Sequence, residues 1–176
     1  MGDEALVVEE KGRRADFIVT ARPNPEDDRG TRHAFHAALL ATERPVLVVP
    51  PIAAAPIGRR VAIAWRDDRR AVKALIPSLR FLAQAEAVVV LAGARAGKPR
   101  PELPTALVEH EVNATLQVLP IGDGPFGQVL LNAAHDFDAD LLIMGAYAHS
   151  PLREMILGGV TRYMLKHADL PVLMRH

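Results

Sequence analysis

Residues 139–145 read Ala-Asp-Leu-Leu-Ile-Met-Gly and residues 171–174 read Pro-Val-Leu-Met. Near the start of the chain residues 15–19 read Ala-Asp-Phe-Ile-Val, and residues 45–47 read Pro-Val-Leu. The first members of these pairs stand 124 positions apart and the second members 126 apart, in the same order. In both copies a helix-like stretch precedes the first strand and another separates the two. Repetition of matched blocks in order marks a duplicated unit. The chain therefore reads as a partial unit over residues 1–52, a linker over 53–57 and a complete unit over 58–176. Pro50–Gly58 (PPIAAAPIG), with three prolines and little polarity, has the composition of a semi-rigid connector.

The same kind of run recurs between the repeats. Asp16–Ala21, Pro45–Val49, Val61–Trp65, Ala87–Leu91, Ala114–Val118, Leu141–Met144 and Pro171–Met174 are short, rich in β-branched residues and apolar on both faces. Strands of that kind are buried under helices. Helix-like stretches cover 3–13, 30–42, 68–84, 102–112, 125–137 and 152–167. Strand and helix in alternation predict an α/β fold with a mainly parallel sheet and helices on both faces. Pro77 falls inside the 68–84 pattern and predicts a kink or a boundary there.

Composition narrows the function classes. The 176 residues carry 21 Lys plus Arg and 21 Asp plus Glu, so no basic field draws the chain to nucleic acid or anionic lipid. There is no cysteine, which excludes disulfides, thiol catalysis and Cys-ligated zinc. Neither serine, Ser78 or Ser150, lies in G-x-S-x-G. The first residues lack the basic and apolar regions of a signal peptide, and the longest apolar run, Val46–Ile57, is too short and too broken by proline to span a bilayer. The expectation is a cytoplasmic protein without a membrane or nucleic-acid partner.

The segment with chemical content is Met144-Gly-Ala-Tyr-Ala-His-Ser-Pro-Leu-Arg-Glu-Met-Ile-Leu-Gly-Gly-Val-Thr161. A buried strand ends at Gly145, a loop follows, and Gly158-Gly159 lead into a helix. Open parallel sheets bind ligands beyond the carboxyl ends of their strands. Glycine there lets backbone N–H groups approach a ligand, and a helix N-terminus adds unpaired donors with partial positive charge. Such a loop favours phosphate. His149 and Arg153 could add charge, and Ser150 and Thr161 could add hydroxyls.

At this segment the chain resembles the universal stress protein family. Its ATP-binding members carry G-x2-G-x9-G-[S/T]. Here the register gives Gly145, Ala148, Gly158 and Gly159, so Ala148 replaces the second glycine and Gly159 the usual Ser or Thr. The run with Tyr147, His149, Ser150 and Gly158-Gly159-Val160-Thr161 resembles a tandem-domain bacterial branch. The resemblance implies a five-stranded, mainly parallel sheet in the order 3-2-1-4-5, nucleotide-binding and α-hydrolase-like, with a partial second copy at the N-terminus. It also implies a nucleoside held near the end of the first strand, where an acid is usual. Here that place reads Ile63-Ala64-Trp65-Arg66-Asp67-Asp68. Arg66 can donate but not accept hydrogen bonds; it could meet a phosphate, or Asp67 could turn inward.

The candidate nucleotide-binding residues are Ala64, Trp65, Arg66, Asp67, Gly145, Ala146, Ala148, His149, Ser150, Gly158, Gly159, Val160 and Thr161. The implied cofactor is ATP with Mg²⁺. No catalytic residue and no metal-ligand set is assigned. In the family the fifth strands meet across a two-fold axis, which implies that residues 45–50 dock against 170–174. The strand at 16–21 then keeps an open apolar edge, and a homo-oligomer, a dimer, is expected. The implied function is that of a stress-response regulatory or binding protein with an adenine-nucleotide site. The alternatives are an oligomerising stress protein that binds no nucleotide, and a slow ATP hydrolase.

Four other signals are set aside. Gly93–Lys98 has three residues between its glycines and lacks the Ser or Thr of a P-loop. His110-Glu111 begins like a zinc motif, but residue 114 is Ala. Asp136, Asp138 and Asp140 alternate as in a calcium loop, with Leu141 where its glycine must stand. His33 and His36 share a helix face without a third ligand.

Overall fold

Each aliphatic run becomes a strand in the computed structural model, which describes residues 4–51, 56–146 and 159–176. The strands are β1 (Ile18–Ala21), β2 (Val46–Val49), β3 (Arg60–Trp65), β4 (Ala87–Ala94), β5 (Ala114–Pro120), β6 (Leu141–Gly145) and β7 (Val172–Arg175). The helices are α1 (Glu4–Gly12), α2 (Arg29–Ala41), α3 (Arg69–Leu75), α4 (Leu79–Leu82), α5 (Thr105–Glu109), α6 (Phe126–Asp136) and α7 (Gly159–His167).

The strands form one mixed sheet of seven, in the order β1-β2-β7-β6-β3-β4-β5. Every neighbouring pair is parallel except β2–β7, which is antiparallel. The sheet thus runs beyond the five strands that the family resemblance implied. β7 does not end it, because its free backbone groups pair with β2 in the register Val46↔Met174, Leu47↔Leu173 and Val48↔Val172. Arg22 adds a second tie across this junction, its Nη1 donating to the Ala168 carbonyl at 2.6 Å.

Successive residues of a strand point to opposite faces, and the core splits accordingly. Val46, Val48, Ala62, Leu142, Met144, Val172 and Met174 meet α2, α6 and α7 on one face. Val61, Ile63, Val88, Val90, Ile143 and Leu173 meet α3, α4 and α5 on the other. Val19 pairs in register with Leu47 but is 58 % exposed, and Phe17 just before β1 is 56 % exposed. The β1 end of the sheet therefore keeps exposed apolar side chains.

Proline sets several boundaries. The stretch expected as one helix over 68–84 divides into α3, a 3-10 turn at Ile76–Ser78 containing Pro77, and α4. The expected helix over 102–112 shrinks to α5, which starts only after Pro104. Strands β4 and β5 run on to Ala94 and Pro120, past the expected ends at Leu91 and Val118. Asp140 has a structural use: its carboxylate accepts from the Gly58, Arg59 and Arg60 N–H groups at 2.7, 3.0 and 3.2 Å, fixing the start of β3 beside β6.

Candidate functional site

β3 and β6 are adjacent and parallel, so their carboxyl ends open on the same rim. After Trp65 the chain turns at Arg66–Asp68 into α3. Asp68 is the N-cap, its Oδ1 accepting from the Arg70 and Ala71 N–H groups, each at 3.0 Å. Its Oδ2 accepts from Arg66 Nε at 2.6 Å and from Arg66 Nη2. Burial pushes the Asp68 carboxyl up. The Ala71 N–H, the hydrogen bond and charge of Arg66, and the Arg70 N–H outweigh it, leaving the pKa below the ordinary 3.8.

β6 ends against this turn. A Cβ on Gly145 would stand 2.8 Å from the Arg70 carbonyl carbon and 2.9 Å from the Ala71 nitrogen. Ala146, fully buried, donates its N–H to the Arg175 carbonyl at 2.8 Å. The bare α-carbon of Gly145 thus serves the approach of α3, a use that the phosphate-loop reading did not include.

Between these elements lies a cavity of about 290 Å³. Ala64, Trp65, Arg66 and Asp68 line it from β3 and its turn, and Arg70 and Ala71 from α3. Leu91, Gly93, Ile121, Phe126 and Leu130 form its apolar far side. Met144, Gly145 and Ala146 complete it from β6, and Gly159, Val160 and Thr161 from the first turn of α7. Gly93 is matched to that far side: a Cβ there would stand 2.7 Å from Phe126 Cζ and 2.9 Å from Ile121 Cδ1. Gly159 is the opposite case, since among the described residues a Cβ on it would meet nothing within 4 Å. Gly159, Val160 and Thr161 thus bring α7 to the cavity beside the ends of β3 and β6.

Of the residues expected at a site, Ala64, Trp65, Arg66, Gly145, Ala146, Gly159, Val160 and Thr161 line this one cavity. Asp67 is exposed and is not among the lining residues; Asp68 is, held by its cap. Ala148, His149, Ser150 and Gly158 lie outside the described residues. Trp65 also packs against the core under α3. Sequence reasoning missed Asp68, Arg70 and the apolar side. For Asp68 the signal was present, an Asp just before a helix. For Ile121 and Phe126 there was none short of the fold itself.

The other signals have structural uses. Gly93 lies within β4 rather than in a loop. His110 is the C-cap of α5. Asp138 sits at φ +54° in the turn before β6. Burial, and then the charge of His33, lower the pKa of His36 below 6.5. No cluster of three or more His, Asp or Glu able to hold a metal occurs among the described residues. No helix among them is long and apolar enough to cross a membrane.

Solved structures share the fold. A universal stress protein from Archaeoglobus fulgidus DSM 4304 matches 97 % of this chain with a TM-score of 0.73 at 13 % identity. The chain spans 64 % of that protein's length. A functionally unknown protein from Pseudomonas aeruginosa PAO1 matches with a TM-score of 0.67 at 14 % identity, over 99 % of this chain and 68 % of its own. A putative universal stress protein from Pseudomonas aeruginosa UCBPP-PA14 gives 0.65 at 13 % identity, over the same shares. No curated protein matches the chain. The model of the universal stress protein family matches residues 16–176, and the chain belongs to that family.

Proposed function

We propose that the cavity between β3, β6 and α7 is a nucleotide site and that the chain is a stress-response regulatory or binding protein acting in the cytoplasm. The ligand class is an adenine nucleotide, ATP with Mg²⁺. The observation that carries the reading is the lining of this cavity, which joins the carboxyl ends of β3 and β6, where parallel sheets take their ligands, to Gly159, Val160 and Thr161 of α7. Leu91, Ile121, Phe126 and Met144 offer an apolar bed for a base. Gly159, Val160 and Thr161 would hold the phosphates, and Mg²⁺ would offset their charge. Residues 1–52 are read as a partial repeat of the unit at 58–176, in the manner of a tandem-domain branch, and the exposed apolar end at β1 as the contact between two copies of a homodimer.

A thermal-shift titration tests the ligand. Mg-ATP at 100 times its dissociation constant should stabilise the fold by about 2.7 kcal/mol, a rise of a few degrees. The absence of any shift at millimolar Mg-ATP rejects the reading. One observation favours a second reading, a stress protein that binds no nucleotide. Arg66 stands at the β3 end as a donor tied to Asp68 and offers a ribose nothing to accept its hydroxyls.

A further inference from the structure

Where β3 turns into α3, the polar side chains lining the cavity are Trp65, Arg66, Asp68 and Arg70. The indole and the two guanidinium groups can only donate hydrogen bonds. Asp68 is the one acid among the described lining residues, and a carboxylate offers about four acceptor positions. All of them are in use. Oδ1 accepts from the Arg70 and Ala71 N–H groups, each at 3.0 Å, and Oδ2 accepts from Arg66 Nε at 2.6 Å and from Arg66 Nη2. The Arg66 carbonyl is also engaged, accepting from the Asp68 N–H at 2.6 Å.

Donors, by contrast, are in surplus. The fork between Arg66 and Asp68 uses Nε and Nη2 and leaves Nη1. The Arg66 side chain stays 66 % accessible. Arg70 is half-buried, and its side chain has no hydrogen bond or ion pair among the described residues. Its guanidinium nitrogens keep accessible surface, unlike the buried Nε atoms of Arg44 and Arg175. Asp68 offsets one of the two positive charges at this rim, and the other is left over.

A free hydroxyl fits such a rim poorly. Its proton needs an acceptor, and burying it without one costs free energy. A phosphate is the reverse case: it is rich in acceptors, it carries the opposite charge, and the planar arginine fork matches its oxygens.

Resting on the nucleotide reading above, we propose that Arg66 and Arg70 form a second phosphate subsite in this cavity. The ligand class is then an adenine nucleotide that carries a phosphate on its 2′ or 3′ ribose hydroxyl as well as on its 5′ end. The 5′ phosphate lies toward Gly159, Val160 and Thr161, and the ribose phosphate lies at the turn into α3. Arg66, held in place by Asp68, is the specificity-determining residue, and Arg70 supplies the charge that no acid offsets.

The test is calorimetric titration with adenosine 3′,5′-bisphosphate, adenosine 2′,5′-bisphosphate, ADP and ATP, all with Mg²⁺ at constant ionic strength. ADP has the same number of phosphoryl groups as the bisphosphates, so the comparison isolates where they sit. At least one bisphosphate should bind about tenfold or more tightly than ADP. In Arg66→Gln and in Arg70→Gln that preference should shrink below about twofold, and Arg66→Lys, which keeps the charge without the fork, should restore only part of it. Arg80→Gln on α4 should keep the full preference. Thermal melts of the unliganded variants establish that they are folded. ADP binding as tightly as both bisphosphates in wild type overturns the second subsite and leaves the nucleotide reading standing. So does a preference that survives in both glutamine variants. Binding of none of the four nucleotides overturns both.

Discussion

Gly145 and Arg70 meet backbone to backbone: the position a Cβ would take on Gly145 is 2.8 Å from the Arg70 carbonyl carbon. The end of β6 and the first turn of α3 therefore touch where no side chain can be inserted. That contact holds two sides of the candidate site at a fixed separation. Backbone cannot swing aside as the far end of a long side chain can.

Gly145→Ala should therefore destabilise the fold by about 1–3 kcal/mol, the usual cost of forcing a methyl group into a filled space. Urea denaturation of the variant measures it. A loss below about 0.5 kcal/mol would mean that α3 retreats freely.

Gly159→Val should do the reverse. Among the described residues a Cβ there meets nothing within 4 Å, so stability should change by no more than about 0.5 kcal/mol. The added side chain enters the cavity at the turn of α7, and nucleotide affinity should fall at least about tenfold. Calorimetric titration of the folded variant checks both parts.

Asp68→Ala removes the cap of α3 and the anchor of Arg66. It should cost about 1 kcal/mol at neutral pH. The folded-state pKa of Asp68 lies below 3.8. Its contribution is therefore present above the unfolded value and is lost as pH falls through the folded one. The stability gap between wild type and variant should narrow below pH 3.8. Thermal melts across the acid range measure that gap, and one that stays constant would contradict this role for the carboxylate.

Val19→Lys places a charge on the exposed face of the edge strand β1, next to Phe17. Sedimentation should find the wild type at twice its 19.1 kDa chain mass and the variant at that mass. Circular dichroism should show the same helix and strand content in both. A monomeric wild type, or a dimer untouched by the lysine, would remove the proposed contact.

Much of the architecture was legible because it rests on local patterns. Aliphatic runs such as Val61–Trp65 and Leu141–Met144 could only be buried strands, and the pairing of residues 45–50 with 170–174 followed from the repeat and the family's habit. The breakdown of 68–84 was harder, since Ala71, Ala74, Leu75, Leu79 and Leu82 keep an apolar face across the break at Pro77. The extra lengths of β4 and β5 were hidden by Gly93 and Pro120, which read as strand ends; β5 is an edge strand and tolerates its proline. In the site, the residues contributed by β3, β6 and α7 were found from a motif that is local in sequence. Ile121, Phe126 and Leu130 were not, because they reach the cavity only through the crossover from β5 to α6. Gly145 was noticed for a different reason than the one the structure shows: the close approach of α3 needs its missing side chain.

Trp65 is the single tryptophan, and it lines the candidate site. Its emission during a titration with Mg-ATP therefore reports on that cavity directly. The nucleotide reading predicts a saturable change in wild type that is lost in Gly159→Val. Unaltered emission up to millimolar Mg-ATP, with no heat of binding in the same range, would contradict it.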